Sequence, residues 1–150
     1  MEIEKLNKFS KTMFYLFSSS YPQWIPLINN MPANQEAFEI VIPSPPHVRT
    51  QLKIDTNRGE LSVFFDDYHE HFGRDNISET ETFNKAKRMI KAILKGQFCS
   101  ASIIRDGQWR GSTSLKTKDL NKFKRKNPKY NRIISWNQAY LSEDNPKYFK

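Results

Sequence analysis

Apolar residues recur through the first twenty positions at a helical period. Ile3, Leu6, Phe9, Met13 and then Leu16 and Phe17 recur every three or four residues, which gathers them on one face and predicts an amphipathic helix over residues 3–18. Ser18-Ser19-Ser20 and Pro22 end it, and the three prolines of residues 21–35 predict an irregular connection. Beyond that point the period shortens to two. Residues 37–42, 49–55 and 60–66 predict strands, the first stopped by PSPP at 43–46. The other two form a hairpin across Thr56-Asn57-Arg58-Gly59, where Asn and Gly tolerate positive φ. Within the last strand Leu61, Val63 and Phe65 share one face, and Ser62, Phe64 and Asp66 the other.

The helical period then returns. Ser78 followed by Glu81 fits a capping box, and Phe83, Ala86, Ile90, Ile93 and Leu94 form the stripe to be buried. Lys85, Lys87, Arg88, Lys91 and Lys95 are left to solvent or a partner, and Gly96 suits a left-handed C-terminal cap. Residues 98–105 and 108–115 flank Asp106-Gly107, a strong hairpin signal, and alternation puts Trp109, Thr113 and Leu115 on one face. A short helix fits 119–126 ahead of Pro128, a last strand covers 132–140, and a polar tail starts near 141. The order α-β-β-β-α-β-β-β predicts an α+β fold: a mostly antiparallel sheet of about six strands with two main helices, within a single domain spanning 1–150.

Composition adds bounds to this picture. Only 37% of residues are apolar, but eleven Phe, six Tyr and three Trp supply bulk for a core. One cysteine, Cys99, allows no internal disulfide and sits in a strand as a small core residue. Lys5, Lys8 and Lys11 precede an apolar run of five residues at 13–17. That run is too short for a signal core of roughly 7–15, and no segment reaches the ~20 apolar residues of a membrane span. A cytoplasmic protein with no membrane partner is expected.

The net charge of +8 is unevenly spread. Residues 60–82 hold seven acids and only Arg74, a net of −6, whereas residues 83–132 hold fifteen Lys or Arg against Asp106 and Asp119, a net of +13. Such segregation serves a merely solvated surface or an electrostatic docking face.

Candidate chemistry concentrates just after the third strand. Asp66, Asp67, Tyr68, His69, Glu70 and His71 bring carboxylates and imidazoles together, and His69 and His71 at a two-residue spacing resemble part of a zinc or iron site. The ligand set stays incomplete. Only His47 exists beyond the cluster, no CxxC or HExxH accompanies it, and flanking acids favour imidazolium over metal binding. The two histidines are therefore expected as polar surface or interface residues closing the strand, able to make partner affinity depend on pH between about 5 and 8. Neighbouring Asp66 and Asp67 point to opposite faces while the strand lasts, which makes them a poor acid/base pair. Ser112 lies in no nucleophile elbow, Cys99 has no evident base, and no phosphate-cradling glycine loop occurs. Neither an enzyme nor a cofactor or metal is expected. An alternative role comes from residues 116–132, where eight Lys or Arg mingle with Phe123 and Tyr130. Lys122, Lys124, Arg125 and Lys126 offer phosphate contacts to a nucleic acid beside aromatic stacking surfaces.

Three segments carry a family resemblance: GELSVFFDDYHEHFG at 59–73, the capped helix leading into FCSASIIRDGQWRGSTSL at 98–115, and RIISWNQAY at 132–140. Together they resemble small bacterial immunity proteins encoded beside polymorphic or contact-dependent growth inhibition toxins. In that family a D-x-Y-H-x-H-F strand end, a DG-x-W-x-GS hairpin and a C-terminal SW strand follow one another. The resemblance covers about residues 50–140 and implies a non-catalytic toxin inhibitor whose partner is a cognate toxin domain. Asp66, Asp67, Tyr68, His69, Glu70, His71, Trp109 and Arg110 become the implied contact residues. The charge of +8 departs from the acidic or neutral character of many such proteins, which directs attention to the acidic stretch 60–82.

Overall fold

The computed structural model describes residues 1–46, 48, 50–73 and 76–141. His47, Arg49, Arg74, Asp75 and the tail beyond 141 lie outside the described residues. The architecture is α+β with two antiparallel sheets, one of five strands in the order β1-β2-β3-β4-β5 and one of four in the order β7-β6-β8-β9. The chain divides into two compact units, 1–43 with 51–64 and 69–88, and 44–50 with 65–68 and 89–150.

In the first unit, α1 (Lys8–Ser20) starts at Asn7, whose side chain accepts the Ser10 N–H at 2.9 Å and satisfies one of the orphan donors of the first turn. The predicted helical stretch thus begins later, with a 3-10 turn at Ile3–Lys5 ahead of it. Met13, Phe14 and Phe17 are buried against β2 (Asn34–Pro43), with the Phe14 and Phe17 rings 6.4 and 6.3 Å from Phe38. Phe83 from α2 (Glu79–Leu94) meets Phe17 edge-on at 5.0 Å. Alternation delivers the rest of this core: Ile40 and Ile42 on β2, Leu52 and Ile54 on β3 (Gln51–Asp55), Leu61 and Val63 on β4 (Leu61–Phe65). One polar pair is buried with them. The Thr56 hydroxyl accepts the Phe38 N–H at 3.1 Å and shares a 2.9 Å hydrogen bond with Ser10, so neither is left unsatisfied.

The connection expected to be irregular contains a 3-10 turn, Pro22–Leu27, and then β1 (Ile28–Met31), which pairs with β2. Tyr21 stacks on Trp24 at 4.0 Å. The acid/His stretch likewise forms a strand of its own, β5 (Tyr68–Phe72), where a strand end was expected. α2 largely follows expectation: Ser78 Oγ accepts the Glu81 N–H at 3.2 Å, and Phe83, Ala86, Ile90 and Ile93 are buried, while Leu94 at the end of the stripe is only half-buried. Lys87 departs from it, since its ammonium donates to Ser20 Oγ at 2.9 Å and lies over the Tyr21 and Phe83 rings, filling the contact between helices.

In the second unit, β6 (Phe98–Arg105) and β7 (Gln108–Lys116) turn at Asp106-Gly107, both at positive φ (50° and 74°) as a type I′ turn demands. β8 (Arg132–Ser135) pairs with β6, and β9 (Ala139–Leu141) with β8. The single strand expected over 132–140 is thus two, because Ser135 closes a turn with Gln138 through both its N–H (2.8 Å) and its hydroxyl (3.1 Å). α3 (Leu120–Lys126) lays Leu120 on Cys99, Ala101 and Ile133, with Leu115, Phe123, Tyr130 and Tyr140 around them.

α2 ends at Gly96 with φ +67°, where Gly96 N–H reaches Ile93 O and Gln97 N–H reaches Ala92 O. A Cβ built on Gly96 falls against the side-chain amide of Asn137. Gly96→Ala is expected to cost about 1–2 kcal/mol, the usual penalty for an L-residue in the left-handed region. Thermal melting reads this directly; an unchanged Tm would mean that the cap relaxes into another conformation. Among the described residues no helix is long and apolar enough to cross a membrane.

Candidate functional site

The acidic pair of the sequence motif sits in a turn, not on opposite faces of a strand. Asp66 (φ 56°) and Asp67 link β4 to β5, and both belong to the second unit with Phe65 and Tyr68. Asp tolerates positive φ better than most residues, so the strand stops where the sequence first permits it. One guanidinium takes both carboxylates: Arg132 on β8 donates through Nη2 to Asp66 Oδ1 at 2.6 Å and through Nη1 to Asp67 Oδ2 at 2.5 Å. The planar fork of Arg suits this double reach, which a lysine would not reproduce.

Strand register explains why Arg132 stands there. Ser102 on β6 lies opposite Arg132 on one side and Ser112 of β7 on the other, so these three share one row across the sheet. Ser112 Oγ donates to Asp67 O at 2.8 Å, and Thr50 Oγ1 reaches Asp66 Oδ1 at 3.4 Å. Phe65 packs against Phe98 and Trp136, each at 6.2 Å, and Tyr68 against Phe98 at 5.6 Å. The Asp66 side chain is 4% exposed and its Oδ2 is buried without a hydrogen bond. Burial pushes its carboxyl above the usual value, outweighing the Arg132 charge that pulls it down. Asp66 therefore serves the turn, while Asp67, 31% exposed, and Tyr68 retain surface.

A second structural feature corrects the expected alternation in the hairpin. Ile103 is opposite Gly111 but Ile104 is opposite Trp109, so Arg110 is an extra residue, a β-bulge. The bulge moves Trp109 off the face it would share with Thr113 and Leu115. It places Trp109 on the Ile104, Ser102 and Ser112 side, the face on which the Asp66–Asp67 turn is bonded. Trp109 is 56% exposed, and Arg110 beside it is exposed too.

His69, Glu70 and His71 lie on β5 in the first unit and are all exposed. The two imidazoles join a string of contacts running across four strands. Glu39 pairs with Lys53 at 3.1 Å, Lys53 lies 5.5 Å from the centre of the Phe64 ring, and Phe64 stacks on His69 at 5.4 Å. His69 meets His71 edge-on at 5.1 Å, and His71 Nδ1 is 2.8 Å from Ser62 Oγ and 3.5 Å from Glu60 Oε2. Lys53 and Phe64 carry no motif of their own; only the alternation of β3 and β4 could have marked them as neighbours. Among the described residues no group of three or more His, Cys, Asp or Glu side chains converges to hold a metal. Cys99 is fully buried, and burial raises its thiol pKa against the weaker pull of Thr117 and Lys124, which keeps it protonated and a poor nucleophile near neutral pH.

Lys122, Lys124, Arg125 and Lys126 are exposed on α3 of the second unit. No protein-family model, curated protein or solved structure matches the chain.

Proposed function

We propose that the chain is an immunity protein that binds one toxin domain and neutralises it by occupying its active site or substrate path, without catalysis. The observation that carries this reading is the bulge at Arg110, which brings an exposed Trp109 onto the same sheet face as the clamped acidic turn. An indole 56% exposed leaves apolar surface that a partner can bury, and Trp and Arg are among the residue types enriched at interface hot spots. Asp67 and Tyr68 supply a polar rim on that unit. The three-segment resemblance supports the same reading, because the motifs at 59–73 and 98–115 are the ones that build this face. His69, Glu70 and His71 on β5 offer a second, polar contact in the first unit.

The test is rescue in cells. Co-expression of the chain is expected to restore growth against the toxin domain encoded in the neighbouring reading frame and against no unrelated toxin. Trp109→Ala with Arg110→Ala is expected to abolish rescue while leaving the far-UV circular dichroism and the melting temperature within a few degrees of wild type. Protection by the double variant at wild-type level would remove Trp109 and Arg110 from the interface.

A further inference from the structure

The α3 side of the four-stranded sheet carries a feature that toxin binding does not use. α3 is anchored by Leu120 and Phe123, which leaves Lys122, Lys124, Arg125 and Lys126 outward, and Lys129 is exposed just beyond it. Among the described residues no carboxylate forms an ion pair with any of these five cations. The ammonium groups sit among aromatic rings. Lys124 Nζ is 5.6 Å from the Tyr140 ring centre, Lys129 Nζ is 5.5 Å from that of Tyr130, and Tyr130 lies 5.2 Å from Phe123. A groove of about 220 Å³ opens among Lys124, Pro128, Tyr130, Ile133 and Tyr140. A second, of about 320 Å³, runs beside Lys122, Phe123 and Lys126, with Asp119 also on its wall.

We propose that this face binds single-stranded nucleic acid, with phosphates on Lys122, Lys124, Arg125 and Lys126 and an unstacked base in the Tyr130–Tyr140 groove. Charge selects a polyanion, and the rings select among polyanions. A nucleotide joins a phosphate to a planar base, and one groove here is lined by a cation, Lys124, and by the Tyr140 ring, over one face of which its ammonium lies at 5.6 Å. A duplex keeps its bases stacked inside and has no ring to offer the groove. An acidic protein segment satisfies the lysines but leaves the tyrosine-lined groove without its complement. The site shares no residue with the proposed toxin interface, so the two readings fail independently.

Fluorescence anisotropy with labelled oligo(dT) and oligo(U) of about 15 nucleotides, within the reach of one small binding module, tests the proposal. Four phosphate contacts to a single strand predict affinity falling roughly 50-fold between 50 and 200 mM salt. Replacing Lys122, Lys124, Arg125 and Lys126 together by Gln is expected to abolish binding. Tyr130→Leu with Tyr140→Leu, which keeps an apolar filling, is expected to weaken oligonucleotide binding at least fivefold. Tyr130→Phe with Tyr140→Phe, which keeps the π-face, is expected to bind as wild type, and heparin binding is expected to be the same in all three tyrosine forms. No binding at 50 mM salt overturns the proposal. So does equal oligonucleotide affinity of the Leu and Phe pairs, which would make the face a plain cation exchanger. Preference for polyglutamate over an oligonucleotide of equal charge overturns it in favour of an acidic protein partner.

Discussion

Arg132→Leu is expected to lower stability by about 3 kcal/mol at neutral pH, the low end for breaking a buried pair because Arg132 itself is 21% exposed. The loss is large for a geometric reason. The substitution leaves Asp66, 4% exposed and with Oδ2 already unbonded, as a buried carboxylate without a counter-charge. A stability change of this size corresponds to a melting temperature lower by roughly 6–12 °C in a chain of this length. The pH dependence follows from the direction of the Asp66 shift. Burial already holds this carboxyl above its ordinary value, and Arg132 opposes that rise. A raised carboxyl favours the fold below its unfolded pKa and loses that contribution as pH rises through its folded pKa. Removing Arg132 raises the folded pKa further, so the variant's deficit should narrow as pH falls from 7 toward about 4. Melting curves of both proteins at several pH values read this; a deficit that stays constant or widens on acidification would mean that Asp66 is not the group left exposed to the loss. Asp66→Asn, which tolerates positive φ and keeps a hydrogen bond to Arg132, is expected to be milder than Arg132→Leu.

Phe17→Ala is expected to cost about 3–5 kcal/mol, the range for emptying a fully buried aromatic site. Its ring stands between α1, β2 and α2, 6.3 Å from Phe38 and 5.0 Å from Phe83, and close packing around it leaves a cavity when the ring is removed. In urea the midpoint should fall with little change in slope, since the surface exposed on unfolding is nearly the same. A loss below 1 kcal/mol would show that α1 repacks, and would weaken the account of the five-stranded sheet's core.

Local signals made some of this structure legible in advance. α2 announces itself through Ser78, the apolar stripe and Gly96, all within twenty residues, and the β6–β7 hairpin through Asp106-Gly107. The α+β class followed from those elements. The bulge at Arg110 was not legible: QWRGSTSL alternates plausibly in either register, and which residue is skipped depends on the partner strand. β5 was missed because its HEH run is polar throughout and reads as the end of a strand. The division of 132–140 was hidden because RIISWNQAY holds no Gly or Pro to mark the turn that Ser135 closes with Gln138.

The candidate site divides the same way. Asp66, Asp67, His69 and His71 were visible as a cluster of types, but their separation into a clamped turn and an exposed strand was not. Arg132, the residue that decides the role of Asp66, lies 66 positions away in sequence and looked like one cation among eight. Long-range pairings of this kind carry no local signal. The string from Glu39 to His71 was equally silent, because it needs the register of four strands to exist.

Titration calorimetry into this chain of the toxin domain that the proposal expects in the neighbouring reading frame tests the central claim most directly. A 1:1 complex with nanomolar Kd is expected, weakened at least 30-fold by Trp109→Ala with Arg110→Ala, the equivalent of about 2 kcal/mol at a hot spot. No heat of binding at micromolar concentrations, or an affinity untouched by that double substitution, would contradict the claim that this bulged face is where a toxin is held.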